Sequence, residues 1–371
     1  MMMDISVSDM RNFLRCRRRW DLTSPNRQGI APLTEAAYFF IGSAFHRCLE
    51  EGANLQRSLS DDELQTLLDR EVMDSEREAY EFSRGHKMPP IVATEDYAPL
   101  ITQVKSLVLR YQAHYGENIL GADYRYLHTE VVLRIPIPLT YGFWRGTIDG
   151  VAEHTSTHEL YVVEHKTYSR PPNERDYTFD DQTRMYCWAL EEASGERVAG
   201  VIYDGMNKKP PTVPRLLQSG AMSRNKGIDT TEATYRQALI DNDLEPEDYE
   251  DHLTYLRERD RSPDNPFFKR FLIPMDEGVK EATEEQLRGV YNSMTSDNLR
   301  IYPHRPWNGC GDCSVRSICD SMMLGEDLEP IMQDYARAVP YGTFRKTTQS
   351  KLDLTWRYDT RTTRDSPQVV S

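Results

Sequence analysis

The hydrophobic and polar positions follow a helical repeat in the first third of the chain. Ser6 and Asp9 form a capping-box pattern that predicts a short helix through Phe13. Apolar residues then recur every three or four positions, which is typical of amphipathic helices. These longer helices are expected over about 34–52, 61–82 and 96–115.

The pattern changes to alternation after position 123. Residues 124–138, 143–153 and 159–167 are rich in β-formers and predict three strands of a meander. A helix over 179–193 and a strand over 198–203 are expected to follow. The order of helices and then βββαβ predicts an α/β fold.

The remaining sequence departs from this order. Residues 206–266 contain NKKPPTVP and two polar helical stretches, and are expected to form a helical insertion. The polar stretch 339–371 is expected to be a flexible tail, which leaves residues 1–338 as one domain. Further elements are expected at 267–274 (strand), 276–294 (helix) and 328–338 (helix).

Composition narrows the class of protein. No apolar run approaches the ~20 residues of a membrane helix, and the N-terminus lacks a signal-peptide pattern. The expectation is a cytoplasmic protein, in a bacterium or an infected host cell, without a membrane partner. The net charge of −14 argues against a general nucleic-acid coat but permits a local DNA contact. Candidate contacts are the basic residues Arg17, Arg18, Arg19, Lys208 and Lys209, which are otherwise solvated surface.

Acidic residues and a lysine lie on two consecutive predicted strands. Asp149 lies near the end of one strand, and Glu164 and Lys166 project from one face of the next. An antiparallel pairing brings the two carboxylates together, where they repel each other unless a cation such as Mg²⁺ or Mn²⁺ is bound. The alternative is a surface ion pair on a hairpin.

Three further features surround this pattern. His46 follows Gly42 on a predicted helix, where a buried core histidine is the alternative to a ligand. Gln182 and Tyr186 share one helix face, which an ordinary amphipathic helix also explains. Glu130 lies in the strand before Asp149 and fits a surface residue as well as a site residue.

The order G-x-x-x-H, G-x-I-D, E-x-K, Q-x-x-x-Y resembles the RecB-like exonucleases of the PD-(D/E)XK superfamily, over residues 5–203. This resemblance implies a restriction-endonuclease-like core, in which helices flank a central mixed sheet, here with an N-terminal helical part. It implies metal ligation by His46, Asp149, Glu164 and the backbone carbonyl of His165. It also implies that Lys166 is catalytic. The remaining pair, Gln182 and Tyr186, would contact DNA or order the site.

Six cysteines in a reducing compartment do not predict three disulfides. Cys310, Cys313 and Cys319 form a cluster that needs a fourth ligand. His304 would complete a zinc site, whereas a distant cysteine would complete a [4Fe–4S] cluster. The other two, Cys48 and Cys187, are expected to be small buried residues.

Cys16 is similar in its context to the first cysteine of iron–sulfur RecB-like nucleases, which include AddB and the exonucleases of CRISPR adaptation. That family carries one cysteine near the start and three near the end, although Arg17 stands here where proline is usual. The resemblance implies that Cys16, Cys310, Cys313 and Cys319 hold a [4Fe–4S] cluster that staples the fold.

The sequence therefore predicts a Mg²⁺- or Mn²⁺-dependent DNA exonuclease of recombination, repair or phage DNA processing. Its substrate would be single-stranded DNA or duplex ends. Candidate protein partners are a helicase, a single-strand-binding protein or another recombination protein. The alternatives are a non-catalytic DNA-end-binding subunit that retains the fold and a zinc-stabilised interaction protein.

Overall fold

The computed structural model describes residues 3–32, 37–83, 94–116, 119–178, 180–262, 265–305 and 310–337. The tail expected at 339–371 lies outside these residues. The described strands are β1 (Asp4–Ile5), β2 (Ile30–Pro32), β3 (Tyr124–Pro136), β4 (Phe143–His154), β5 (Leu160–Tyr168), β6 (Val198–Asn207), β7 (Phe268–Pro274) and β8 (Tyr335–Arg337). The described helices are α1 (Val7–Arg15), α2 (Arg17–Thr23), α3 (Ala37–Leu55), α4 (Asp61–Ser83), α5 (Thr94–Tyr115), α6 (Glu174–Thr178), α7 (Asp181–Ser194), α8 (Glu232–Ile240), α9 (Glu250–Asp260), α10 (Glu277–Met294), α11 (Arg316–Leu324) and α12 (Glu329–Met332), with a 3-10 helix at Pro246–Tyr249.

Six strands form one mixed sheet in the order β1-β4-β5-β6-β7, with β3 on β4. The meander β3-β4-β5 is antiparallel, as the alternating pattern predicts. Helix α7 then connects β5 to β6, which pair in parallel. The expected mixed sheet flanked by helices is therefore confirmed.

Two apolar cores hold helices against this sheet. The larger joins α1, α7 and α10 to the strands and includes Trp144, Trp188 and Leu287. The second joins α3, α4 and α5 and reaches β6 through Met206 and β7 through Phe268. The N-terminal helical part is thus packed on the sheet.

The insertion between β6 and β7 has a small core of its own. Tyr235 and Leu239 of α8 pack against Tyr249, and Leu253 of α9 completes the contact. Both polar helices expected in this segment are present. Since this core is separate from the two larger ones, the sheet does not depend on it for burial.

The C-terminal region departs from the prediction in two places. The helix expected over 328–338 is wrong: α12 ends at Met332, and β8 pairs with β2 antiparallel. A partner strand distant in sequence outweighs the local helical pattern there. Helix α11, which contains Cys319, was not expected, because the glycine-flanked cysteines around it indicate a loop.

None of the helices in the described part of the chain combines the length and apolar character needed to cross a membrane.

Candidate metal centre

The sheet register brings the predicted acidic residues together. Gly150 of β4 pairs with Val163 of β5, so Asp149 and Glu164 are neighbours across the two strands. The backbone N–H of His165 donates a 2.8 Å hydrogen bond to Asp149 Oδ2. The antiparallel pairing expected of these two strands predicts this proximity.

A third strand and a helix complete a ligand group. One ligand atom each from His46, Glu130 and Asp149 lies within 4.8 Å of the others. His46 Nδ1 is 3.3 Å from Asp149 Oδ1. Helix α3 supplies the imidazole, β4 supplies Asp149 and β3 supplies Glu130. Two carboxylates and one imidazole form a donor set that suits Mn²⁺ or Mg²⁺.

The backbone of Glu130 is unusual. Its φ of 48° lies in the left-handed region, which costs a residue with a side chain about 1–2 kcal/mol. The pairs on either side, Thr129 with Gly150 and Val131 with Ile148, place it opposite Asp149. The strained conformation accompanies its place in the ligand group.

Glu164 lies beside this group but is paired with Lys166. Lys166 Nζ and Glu164 Oε1 form a close ion pair, and Gln182 Nε2 donates to the same oxygen at 2.8 Å. Gln182 Nε2 also donates to the Tyr186 hydroxyl at 3.0 Å. The predicted helix pair on α7 therefore does face the carboxylate. The second carboxylate oxygen, Glu164 Oε2, is buried and has no hydrogen-bond partner among the described residues.

The two carboxylates differ in their affinity for protons. Burial acts to raise the pKa of Asp149, but His46, His165 and Lys166 outweigh it and lower that pKa to about 2. Burial and the neighbouring Asp149 raise the pKa of Glu164 to about 7, because together they outweigh the lowering effect of Lys166. A buried oxygen without a partner and a carboxylate with a raised pKa are both features expected of a position that binds a cation.

A buried polar network behind the centre was not predicted. His165 Nδ1 lies 3.0 Å from Asp204 Oδ2, and its Nε2 lies 2.8 Å from the Tyr126 hydroxyl. Asp204 also accepts hydrogen bonds from Arg270 and from the Tyr111 hydroxyl. These contacts fix His165, whose backbone holds Asp149. The sequence held one sign of this network: Asp204 is an acidic residue inside the apolar run of β6.

The N-terminal cysteine lies beside the C-terminal ones. Burial raises the pKa of the Cys319 thiol; Arg18 lowers it, and the nearby Cys16 and Cys313 add to the rise. Next to Cys16, Arg15 binds Asp312 with two hydrogen bonds of 2.9 and 2.6 Å. Cys16 caps α2, and its Sγ accepts hydrogen bonds from the backbone N–H groups of Arg19 and His304 at 3.4 and 3.3 Å.

The expected cysteine cluster is not seen as a compact ligand group in the described part of the chain, either for iron–sulfur or for zinc. Tetrahedral zinc with ~2.3 Å bonds holds its sulfurs about 3.8 Å apart. Within the described part of the chain, no three of the cysteine sulfurs lie within 4.8 Å of one another, with or without His304. The other cysteines are buried as expected: Cys48 is 2% exposed and Cys187 is 1% exposed.

The basic candidates lie in two places. Arg17 and Arg18 contact the C-terminal segment, through the Tyr302 ring and the Met322 sulfur respectively. Arg19 donates its backbone N–H to the sulfur of Cys16, which caps α2. Lys208 and Lys209 directly follow β6, and the Lys208 N–H donates to Tyr168 at the end of β5. The two lysines therefore lie at the C-terminal ends of β5 and β6, the same edge of the sheet near which Lys166 lies.

Comparison with known proteins bears on this arrangement. Residues 4–320 match the family described as the PD-(D/E)XK nuclease superfamily. No curated protein matches the chain. A similar solved structure is described as "Crystal structure of SSO0001"; the match covers 86% of each chain at 12% identity, with a TM-score of 0.30.

Proposed function

Because the chain belongs to the PD-(D/E)XK nuclease superfamily, we propose that it is a DNA exonuclease that depends on Mg²⁺ or Mn²⁺. The supporting observation is the ligand group of His46, Glu130 and Asp149 beside the unpartnered oxygen of Glu164. Within one small region, these residues offer a nitrogen and several carboxylate oxygens, which is a fitting donor set for either ion.

His46, Glu130 and Asp149 would hold the ion, and Glu164 would turn its free oxygen to it. The backbone carbonyl of His165 would be a further ligand. When bound, such an ion polarises a phosphate oxygen and makes water more acidic. Glu130 is thus added to the metal ligands that the sequence predicts.

Lys166 would be the catalytic residue that acts beside the metal ion. Its pKa is raised: burial acts to lower it, but Glu164 and Asp149 outweigh burial. The ammonium group is therefore charged at neutral pH, and it can orient the attacking water or stabilise charge on the scissile phosphate. Gln182 holds both Glu164 and Tyr186, so this pair orders the site from α7.

The direct test is incubation of the purified protein with end-labelled single- and double-stranded DNA. Mn²⁺, Mg²⁺ and EDTA are compared. We expect metal-dependent release of short products from an end. Tight DNA binding without cleavage under all metal conditions would instead favour the alternative, a non-catalytic DNA-end-binding or recombination subunit that retains the fold. The intact set of Asp149, Glu164 and Lys166 argues against that alternative, because binding alone does not require it.

We further propose that Cys16, Cys310, Cys313 and Cys319 bind a [4Fe–4S] cluster. The capped sulfur of Cys16 supports this, since two N–H donors stabilise a thiolate and tune such clusters. We also propose that this nuclease acts in recombination, repair or phage DNA processing. Its partner there would be a helicase or a single-strand-binding protein.

A further inference from the structure

The loop between β3 and β4 exposes two large apolar side chains. Leu139 and Tyr141 are each 88% exposed, more than any other large hydrophobic residue in the described part of the chain. The loop is nevertheless well ordered by hydrogen bonds: Ile137 N–H donates to the Gly142 carbonyl at 3.0 Å, and the Thr140 hydroxyl donates to the Ile137 carbonyl at 2.9 Å. These two side chains therefore offer an apolar and aromatic contact surface at the tip of the hairpin.

The base of this hairpin is firmly attached to the core. A Cβ atom at Gly142 would come within 2.0 Å of the Tyr291 ring of α10. Only glycine allows so close an approach. Ile137 and Trp144, on either side of the loop, are each no more than 1% exposed. The tip is therefore a rigid projection.

One face of the hairpin connects this tip to the metal centre. Val131, Leu133 and Ile135 of β3 point into the core, so the residues between them take the opposite face. On β4, Trp144 and Ile148 are the core residues. We call the opposite face the hairpin track; it consists of Val132, Arg134, Arg145 and Thr147, followed by the tip residues Leu139 and Tyr141.

The track is continuous with the ligand group. Val132 pairs with Thr147 and Arg134 pairs with Arg145, and one step further along the same face are Glu130 and Asp149. Val132 is 44% exposed. From the centre to the tip, the track therefore offers an open surface.

The track carries two arginines in a strongly acidic protein, and one of them, Arg134, is paired with Asp4. Arg134 is fixed by Asp4 at 2.7 and 2.9 Å and lies 3.4 Å from the centre of the Phe143 ring. Its side chain is still 48% exposed. Arg145 lies directly across the strand pair. Two guanidinium groups beside each other favour a phosphate backbone as the occupant.

We propose that single-stranded DNA approaches the metal centre along the hairpin track and stacks a base on Tyr141. This inference rests on the proposed nuclease function. Phosphates would contact Arg134 and Arg145, while the exposed aromatic ring offers the stacking platform that unpaired bases use. A duplex hides its base faces, except at its ends, so a single strand fits the tip better.

The length of the track sets the size of the bound segment. Asp149 lies seven residue steps along the chain from Gly142, which is about 23 Å at ~3.3 Å per step. A stacked strand rises ~3.4 Å per nucleotide, so about seven nucleotides span the distance. Products shorter than this lose contact with Tyr141.

The test measures binding in EDTA, so that cleavage plays no part. Fluorescence anisotropy gives the affinity for a single-stranded 12-mer, an abasic 12-mer and a blunt 12-base-pair duplex. Tyr141→Ala should weaken binding of the single strand about 5- to 150-fold, because one stacked base contributes ~1–3 kcal/mol. Tyr141→Phe should bind like the wild type. The control Leu217→Ala changes an exposed residue of the insertion, 48% exposed, and should have no effect.

The abasic strand should bind equally to the wild type and to Tyr141→Ala. Unchanged single-strand affinity in Tyr141→Ala would overturn the inference, as would an equal loss of affinity for the duplex. The readout is independent of the nuclease proposal. If Tyr141→Ala loses affinity but the wild type cleaves no DNA, the hairpin track is retained and the nuclease function is rejected. If Tyr141→Ala binds normally and the wild type cleaves DNA, the nuclease function is retained and the hairpin track is rejected.

Discussion

At the scale of single residues, the buried contacts of Asp204 support the proposed metal centre from the interior of the protein. Its carboxylate binds Arg270 and His165, and His165 holds Asp149. We predict that Asp204→Asn lowers the free energy of unfolding by about 3 kcal/mol, because it breaks a buried ion pair. The Mn²⁺ concentration needed for half-maximal activity should rise about 10- to 100-fold, as for other groups that orient ligands. An unchanged Mn²⁺ requirement would show that the network has no part in the centre.

The same group predicts a dependence of stability on pH. Burial acts to raise the pKa of Asp204, but Arg270 and His165 outweigh it and hold that pKa well below its usual value. The ionised carboxylate therefore stabilises the fold above its unfolded pKa of about 3.9, and this contribution is lost as the pH falls further. The difference in melting temperature between wild type and Asp204→Asn should narrow below about pH 4. The control Asp297→Asn, at an exposed position, should follow the wild type at each pH.

The sequence predicted some site residues and missed others for identifiable reasons. Asp149, Glu164 and Lys166 follow from alternation on two adjacent strands, which is a local pattern. Glu130 could not be separated from a surface residue, because its role depends on a left-handed backbone and on cross-strand register. Asp204 gave only one signal, an acid inside the apolar run of β6, because its partners His165 and Arg270 come from other strands.

At the scale of secondary structure, helix α7 places Gln182 through its first turn. Asp180 caps the helix by accepting hydrogen bonds from the N–H groups of Gln182 and Thr183, and it also binds Arg11. We predict that Asp180→Ala costs about 1 kcal/mol of stability and lowers cleavage, because Gln182 loses its fixed position. Thr231→Ala is the matched control: it removes the cap of α8 in the insertion. It should cost similar stability and leave cleavage unchanged; an equal loss of cleavage in both variants would refute the positioning role.

Elements with a strong local repeat were predicted well, and those made by distant partners were not. The three strands of the meander and the helices α4 and α10 begin and end within a few residues of the predicted positions. The pairing of β2 with β8 joins residues from opposite ends of the chain, and no local signal indicates it.

At the scale of the whole molecule, the cysteines connect the first helices to the last segment. If Cys16 binds a cluster together with Cys310, Cys313 and Cys319, the cluster closes a loop of almost the entire chain. Binding of the cluster then adds to the stability of the fold. We predict that Cys16→Ser removes the brown colour, iron and sulfide of anaerobically purified protein and lowers its melting temperature. Cys48→Ser and Cys187→Ser should keep all three, because both residues are buried elsewhere. One zinc per chain without iron or sulfide, in protein made with iron available, would end the iron–sulfur proposal.

We propose above all that this chain cleaves DNA at the centre formed by β3, β4, β5 and α3. The most direct measurement compares the Mn²⁺-dependent rate of cleavage of end-labelled DNA by wild type, Glu164→Gln, Lys166→Ala and Glu247→Gln. The last variant changes an exposed carboxylate of the insertion and is the matched control. We predict wild-type cleavage by the control and a loss of at least about 100-fold in the other two, which should remain folded. Cleavage by Glu164→Gln or Lys166→Ala at the wild-type rate would contradict this claim.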